Sequence, residues 1–231
     1  MFDLRVLLES IIDIATVVPK TLALALVILL LSLLVGAVIA LIQKFKVPVF
    51  SQIIKVLQSF LRGTPNVVIL LLMYYALPEI LTFFTGILGI EFDANSLNPI
   101  ITVIVTFTIS YSVFQSEIIR GSILSIDKGQ IEAAQSLGFS SWQTFRRVIV
   151  PQALVEAFPD IINSLMIIIK SLSLAYLITV VDILGQAKMV GALNYRYLEA
   201  FIGAALIYWV IGMVLTLIAN RFELKLRRGF H

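Results

Sequence analysis

The residues best able to do chemistry in this sequence are polar side chains that interrupt a long apolar segment. Between residues 157 and 181, Asn163, Ser164 and Lys170 stand among aliphatic and aromatic residues. A polar side chain in apolar surroundings is costly unless it finds a partner, so it marks either a contact between helices or a contact with a polar solute. For Asn163 and Ser164 both interpretations remain open at this point.

Lys170 is the charged member of this set. It lies about 13 residues into the segment, which is close to 20 Å along a helix axis. A lysine at that depth faces a protein interior, a water-filled cavity or a nearby interface. It is either an element of a pore or gate, or a structural lysine that pairs with a carboxylate or carbonyls or extends its ammonium outward.

Enzymatic chemistry is not indicated. The sequence has no Gly-x-x-x-x-Gly-Lys-Ser/Thr phosphate loop, no zincin-like pair of histidines and no Gly-x-Ser-x-Gly turn. It contains no cysteine, and its one histidine is the last residue, His231. We expect no catalytic residue, metal site or cofactor on this chain, so the energy for any work must come from another subunit or from an ion gradient.

Composition identifies the elements that must position the polar residues. The 231 residues are 60% apolar and 13% charged, which is too apolar for a soluble domain of this size. The sequence predicts a single all-α polytopic membrane domain over residues 1–231, and a formal charge of +3 gives no reason to expect a nucleic-acid partner. Five segments are long enough to cross a bilayer. They cover residues 20–44, 64–80, 99–116, 157–181 and 200–220.

The segments outside the five spans have their own patterns. Asp3, Glu9 and Asp13 rule out a cleavable signal. Residues 1–20 are instead expected to form an interfacial helix with one apolar face, made by Leu4, Leu7, Leu8, Ile11 and Ile14. Its polar face is expected to carry Glu9, Ser10 and Asp13. Residues 47–62 predict a surface helix or a polar lead-in to the second span. Residues 81–98 and 182–199 predict two connections on the outer side.

Orientation follows from the distribution of Lys and Arg. About twelve of them fall on one side of the predicted spans and about four on the other, where the four are Arg5, Lys20, Lys188 and Arg196. This asymmetry predicts an N-terminus outside, with the C-terminus and residues 127–150 in the cytoplasm. On the cytoplasmic side, Glu117 and Arg120 are expected to form an ion pair, and Arg62 contacts either lipid headgroups or the loop.

Residues 127–150 predict two short cytoplasmic helices. Asp127 with Gln130 predicts an N-cap and its N3 partner, for a helix over about residues 128–137 that Gly138 ends. Ser140 with Gln143 predicts a second capping box, and Pro151 is expected to close the second helix.

The second of these helices is amphipathic. Trp142, Phe145 and Ile149 are predicted to form one apolar face, with Arg146 at its border and Gln143 and Arg147 pointing away. Such a helix either docks into a groove of a water-soluble partner or lies flat on the lipid surface. From these residues alone both outcomes stay open.

The same region resembles a known family. Glu132-Ala133-Ala134, three further residues, Gly138, and then Pro151 thirteen positions later are similar to the cytoplasmic EAA loop of the membrane subunits of ABC importers. Three other segments, residues 62–65, 116–130 and 170–174, resemble the polar amino-acid branch of that family. The resemblance implies a type I importer fold with about five transmembrane helices and a two-helix coupling loop.

The resemblance also implies partners and roles. A cytoplasmic ATPase dimer that binds ATP and Mg would receive the coupling loop. A second permease copy or homologue would complete the pore, and an extracellular solute-binding protein would deliver a polar amino acid, all at a bacterial plasma membrane. The residues expected to act in ATPase coupling are Glu132, Ala133, Gly138, Ser140, Trp142, Gln143, Phe145 and Arg146. Those expected to act in substrate binding are Asn163, Ser164 and Lys170.

One residue bears on the substrate class. Some relatives that carry basic amino acids have an acidic residue beside the matching asparagine, where this chain has Ser164. An uncharged or zwitterionic substrate, such as cystine or glutamine, is therefore expected. The alternatives are an ion-coupled carrier, which predicts an internal repeat and more acidic residues within the spans, and a membrane scaffold without transport.

Overall fold

The computed structural model describes residues 2–227, and the side chains of all of these except 95 and 224–227. His231 lies outside this range. So does Arg228, one of the basic residues counted on the side predicted to be cytoplasmic. The described chain is built from helices. They are α1 (Leu4–Ala15), α2 (Val18–Lys44), α3 (Phe50–Gly63), α4 (Asn66–Ile87), α5 (Pro99–Leu124), α6 (Lys128–Ser136), α7 (Ser141–Thr144), α8 (Val150–Ser171), α9 (Ile183–Asn194) and α10 (Tyr197–Arg227).

Five helical segments in the described part of the chain are long and apolar enough to cross a membrane. They are α2, α4, α5, the continuous helical stretch Ser141–Ile178 and α10. The predicted number of spans is therefore confirmed. Two helices extend beyond the predicted spans, because α4 continues to Ile87 and α5 continues to Leu124. No proline interrupts residues 81–87, and Gly89 with φ +69° follows the end of α4.

The most extensive contact between two helices joins α2 to α5. At Gly36 of α2, an added Cβ would lie 2.8 Å from the Cβ of Gln115 and 2.9 Å from the carbonyl oxygen of Ser112. Around this contact α5 is the most buried of the spans, and Val103 and Phe107 on it are fully buried. Close approach of two helices through a small residue is a usual way to pack helices in a membrane. α5 is thus the central helix of the bundle.

α1 lies against α10, and its buried face differs from the prediction. On the predicted apolar face Leu7 and Ile14 are buried, whereas Leu4 and Leu8 are 62% and 55% exposed, as side chains that face lipid would be. Ser10, which the sequence placed on the polar face, is buried instead. Gly203 allows α10 to approach α1 closely, because an added Cβ there would lie 3.2 Å from Ile11. The helix also ends at Ala15, earlier than the predicted residue 20.

Residues 182–199, expected to form only an outer connection, contain the helix α9. Its residues Ile183 and Ala187 are fully buried in the core. Asp182 begins this helix by accepting hydrogen bonds from the backbone N–H groups of Leu184 and Gly185, and the Tyr208 hydroxyl donates to it at 3.0 Å. Burial nevertheless raises the pKa of the Asp182 carboxyl above its usual value, because it disfavours the charged form.

The contact at Gly36 gives a stability prediction. Gly36→Ala is expected to lower the free energy of unfolding by about 1–3 kcal/mol, because the added methyl group has no room between α2 and α5. Gly86→Ala in α4 is the matched control, since an added Cβ there meets nothing within 4 Å. A thermal melt of the two variants in the same detergent checks this. Equal melting temperatures would contradict the close contact.

Candidate functional site

A cavity of 440 Å³ brings three polar residues of α8 together with the C-terminal half of α5. Its α8 wall includes Asn163 and Ser164, which the sequence predicted, together with Asp160. Asn163 is exposed, whereas Ser164 is buried. The remaining lining residues are Arg62, Tyr111, Phe114, Glu117, Ile118 and Ile167. Polar and charged side chains therefore lie on both sides of this cavity, and Phe114, Ile118 and Ile167 are its apolar lining residues.

Charges of both signs line the cavity. Arg62 lies 3.3 Å from one oxygen of Glu117, and Arg120 forms an ion pair with the other. The expected pair between Glu117 and Arg120 is thus present, and Arg62 contacts this carboxylate. Because the carboxylate has two cationic partners, the group of three carries a net positive charge, while the Asp160 carboxylate lies on the opposite helix of the cavity.

Tyr111 contributes a hydrogen-bond network that sequence reasoning missed. Its hydroxyl accepts a hydrogen bond from the side-chain amide of Asn66 at 3.2 Å and lies 2.5 Å from the Ser171 hydroxyl. These bonds join α4, α5 and α8 beside the cavity. The sequence shows only a tyrosine in a span rich in Ser and Thr. That pattern does not distinguish a tyrosine that packs between helices from one that lines a cavity.

Lys170 is placed apart from this cavity. It lies in the last turn of α8, is exposed, and is not among the lining residues. Its carbonyl accepts a hydrogen bond from the Ser173 hydroxyl at 2.7 Å, and no side chain in residues 2–227 forms an ion pair with its ammonium. The structure thus does not bring Lys170 together with Asn163 and Ser164, and its role in a pore or gate stays a prediction.

The first helix of the loop, α6, has the predicted N-cap but not the predicted partner. Asp127 accepts a hydrogen bond from the backbone N–H of Gly129 at 2.7 Å. The Gln130 side chain does not return to the cap as predicted, because it accepts a hydrogen bond from the side-chain amide of Gln152 at 2.5 Å. This bond joins α6 directly to α8.

The bend after α6 is as predicted. Gly138 has φ +83°, a conformation that a side chain would oppose. Phe139 then donates its N–H to the carbonyl of Ala134 at 3.1 Å. Ser140 and Gln143 form both bonds of the capping box, at 2.8 and 3.3 Å. The sequence therefore identified the local geometry of this bend correctly.

The prediction that Pro151 closes the second helix is wrong. The chain continues from α7 through a π-helical turn at Phe145–Ile149 directly into α8. In this turn the N–H of Val150 donates to the carbonyl of Phe145, five residues back. A proline in a regular helix clashes with the carbonyl four residues earlier, and the wider turn relieves that clash. The bend and the helix that carries Asn163 are consequently one continuous helical segment.

The surface of the loop is polar with one large aromatic side chain. Trp142 is 67% exposed and stacks on Phe145 at a centroid distance of 5.9 Å. Phe145 is half-buried, and the Lys44 ammonium lies 5.1 Å from its ring centroid. The predicted apolar face is therefore divided, with Trp142 outward and Phe145 against α2. The other predicted coupling residues, Glu132, Ala133, Gly138, Ser140, Gln143 and Arg146, are exposed.

Comparisons with known sequences agree with this arrangement. Residues 32–228 match the family described as the binding-protein-dependent transport system inner membrane component. The probable amino-acid ABC transporter permease protein PatM of Vibrio harveyi is 36% identical, over 99% of this chain and 98% of PatM. The L-cystine transport system permease protein TcyL of Bacillus subtilis is 32% identical, over 99% of this chain and 93% of TcyL.

Solved structures share the fold. One chain of a crystal structure of an amino acid ABC transporter with histidines superposes on this chain with a TM-score of 0.81 at 26% sequence identity. The match covers 97% of this chain and 99% of the solved chain. The methionine ABC transporter MetNI in an inward-facing conformation has a TM-score of 0.69 at 16% identity, a likeness of fold alone. The chain belongs to the family of binding-protein-dependent transport system inner membrane components, and is a permease subunit of an amino-acid ABC importer with the type I fold.

Proposed function

We propose that this permease carries an uncharged or zwitterionic polar amino acid, and that a separate ATPase drives it through the loop at residues 127–150. The observation that carries the proposal is the cavity between α5 and α8. It combines an amide, a hydroxyl and charged groups of both signs in 440 Å³. Asn163 and Ser164 lie on one helix of this cavity, and Glu117 lies on the facing one.

The cavity suits a molecule that carries both an ammonium and a carboxylate group. Arg62 can attract a carboxylate, and Asp160 can attract an ammonium group. The side chain of the substrate would meet Asn163 and Ser164, which form neutral hydrogen bonds and add no charge. The name of the relative TcyL specifies L-cystine, a zwitterionic substrate that fits this description.

The loop supports the coupling proposal through its exposed surface. Trp142 is the exposed aromatic side chain of the loop, Leu137 beside the bend is also exposed, and tryptophan often dominates the binding energy of an interface. In this proposal ATP and Mg bind to a cytoplasmic ATPase dimer whose surface groove receives α6 and α7. A second permease copy or a homologue completes the pore, and an outer solute-binding protein delivers the amino acid.

The direction of the chain in the membrane follows from its charges. Lys44 lies at the same end of the bundle as α7, because its ammonium is 5.1 Å from the ring centroid of Phe145. Lys46 and Lys55 line a cavity with the adjacent Gln43 and with Arg120, and Arg62 shares Glu117 with Arg120. We place this basic end in the cytoplasm of a bacterial cell, with the N-terminus outside. The loop then lies on the side where ATP is present.

The first test concerns the loop. Trp142→Ala is expected to weaken binding of the partner ATPase by about 30-fold or more, because loss of a central tryptophan commonly costs about 2 kcal/mol. Trp209→Ala is the matched control, since Trp209 is 61% exposed on α10 and lies outside the loop. Co-purification of the ATPase with each variant measures the effect. Equal loss in both variants would contradict the proposed role of the loop.

The second test concerns the charge of the substrate. Ser164→Asp adds a negative charge to the cavity wall, which attracts a cationic substrate. Uptake of arginine relative to glutamine is therefore expected to rise about tenfold, which corresponds to about 1.4 kcal/mol of added attraction. Ser164→Ala is the control for loss of the hydroxyl alone, and a thermal melt verifies folding of both. Unchanged selectivity in a folded Ser164→Asp variant would contradict substrate contact at this position.

A further inference from the structure

Two further cavities adjoin α2 and α5, a polar one beside α3 and an apolar one beside α8, and only Glu117 of their lining residues also lines the candidate substrate site. The first has a volume of 580 Å³ and a polar lining that includes Lys46, Lys55 and Gln58. The second has a volume of 800 Å³ and an almost entirely apolar lining, with Leu34, Ala37 and Leu154 among its residues. Gln43 and Arg120 line both cavities, so the polar one opens directly beside the apolar one.

The polar cavity has an excess of positive charge. Lys46, Lys55 and Arg120 line it, against one acidic residue, Glu117. Glu117 already has Arg62 and Arg120 as ion-pair partners. Neither lysine forms an ion pair within residues 2–227. An anion that enters this cavity therefore meets two ammonium groups that have no carboxylate partner.

Side-chain hydrogen bonds hold α3 against the bundle beside the polar cavity. The side-chain amide of Gln43 donates to the Gln58 carbonyl oxygen at 2.7 Å, and the Gln58 amide donates to the Ser116 hydroxyl at 3.1 Å. Gln58 is buried, so this chain of bonds ties α3 to α2 and α5. The apolar side chains of α3 face outward instead, and Phe50, Val56 and Phe60 on it are exposed. α3 is thus an amphipathic helix of the kind that lies at a membrane surface.

We infer that the two cavities together bind one anionic phospholipid, with its phosphate at Lys46 and Lys55 and an acyl chain in the apolar cavity. Charge complementarity selects an anionic headgroup, and the adjoining apolar cavity selects a ligand with a long hydrocarbon chain. This inference uses the proposed orientation, in which the basic end of the bundle faces the cytoplasmic leaflet.

The site adjoins the coupling loop. Lys44 lines the apolar cavity and also lies over the ring of Phe145, which lines the same cavity. A bound lipid therefore contacts the π-helical turn where the loop joins α8. The lipid would fill the space between that turn and α2, which no side chain of the described residues occupies.

The test is lipid binding by the full chain, purified in detergent without the ATPase. Native mass spectrometry compares phosphatidylglycerol with phosphatidylcholine of the same acyl chains, and one tightly bound phosphatidylglycerol per chain is expected. Lys46→Gln/Lys55→Gln is expected to weaken its binding by about tenfold or more, since each basic residue near a lipid surface contributes about a fivefold factor. Lys20→Gln/Lys188→Gln removes the same charge elsewhere and is expected to leave binding unchanged.

A second pair of variants tests the apolar cavity. Ala37→Trp fills it and is expected to weaken phosphatidylglycerol binding, whereas Val214→Trp on the exposed face of α10 is not. Equal binding of the two lipids, or equal loss in both double lysine variants, overturns the inference. Displacement of the lipid by excess inorganic phosphate alone also overturns it. A third contradicting result is an Ala37→Trp variant that changes from dimer to monomer and still binds the lipid. It would show that a second copy of the chain, and not a lipid, covers the cavity in the unsubstituted protein.

These outcomes are independent of transport. The measurement contains no nucleotide, no ATPase and no amino acid. A permease that fails the tests of coupling or substrate charge can still bind the lipid, and one that passes them can fail to bind it.

Discussion

Lipid tails are as apolar as the side chains that face them, so the hydrophobic effect does little to hold one membrane helix against another. Close packing has to supply that attraction, and in this permease the contact of Gly36 with α5 is the clearest instance. The side chain of Gln115 at this contact is buried without a hydrogen-bond partner in the described structure. The Gln115 amide thus adds a cost and no hydrogen bond at this contact. The close fit of Gly36 against α5 has to supply the attraction there.

This contact determines where the candidate site lies. With α2 packed on one side of α5, the opposite side presents Tyr111 and Glu117 to α8 and forms the cavity with Asn163 and Ser164. The continuous helical segment from Ser141 through Ile178 then connects that cavity to the loop. Between residues 142 and 163 it spans about 30 Å at the usual rise per residue. A displacement of the loop would therefore reach the cavity through a continuous helical segment, without an intervening non-helical connection.

The sequence was informative where the geometry is local. Gly138 and the capping box of Ser140 with Gln143 depend on residues only a few positions apart, so their pattern was enough to predict the bend. The count of five spans was also predictable, because length and apolarity decide it. The type I fold and the polar amino-acid branch followed from a resemblance carried by several segments.

One failure has a local cause, since Pro151 stays inside a helix because the preceding π-helical turn absorbs its clash. Others come from contact with residues far away in the sequence. Gln130 leaves its cap because Gln152 is within reach, and Ser10 is buried where α1 packs against α10. In the site, Tyr111 and Arg62 join the predicted residues only through packing of α3, α4 and α5.

The central claim is that the loop at residues 127–150 transmits the work of a separate ATPase to the helix that lines the cavity. The chain has no cysteine, so Gln143→Cys introduces a single reactive thiol at an exposed position of the loop. Membranes that contain this variant and the products of its neighbouring genes are treated with a bifunctional thiol crosslinker, with and without nucleotide. The account predicts a crosslink to the ATPase whose yield changes with nucleotide. No crosslink, with both proteins intact in the membrane, would contradict it.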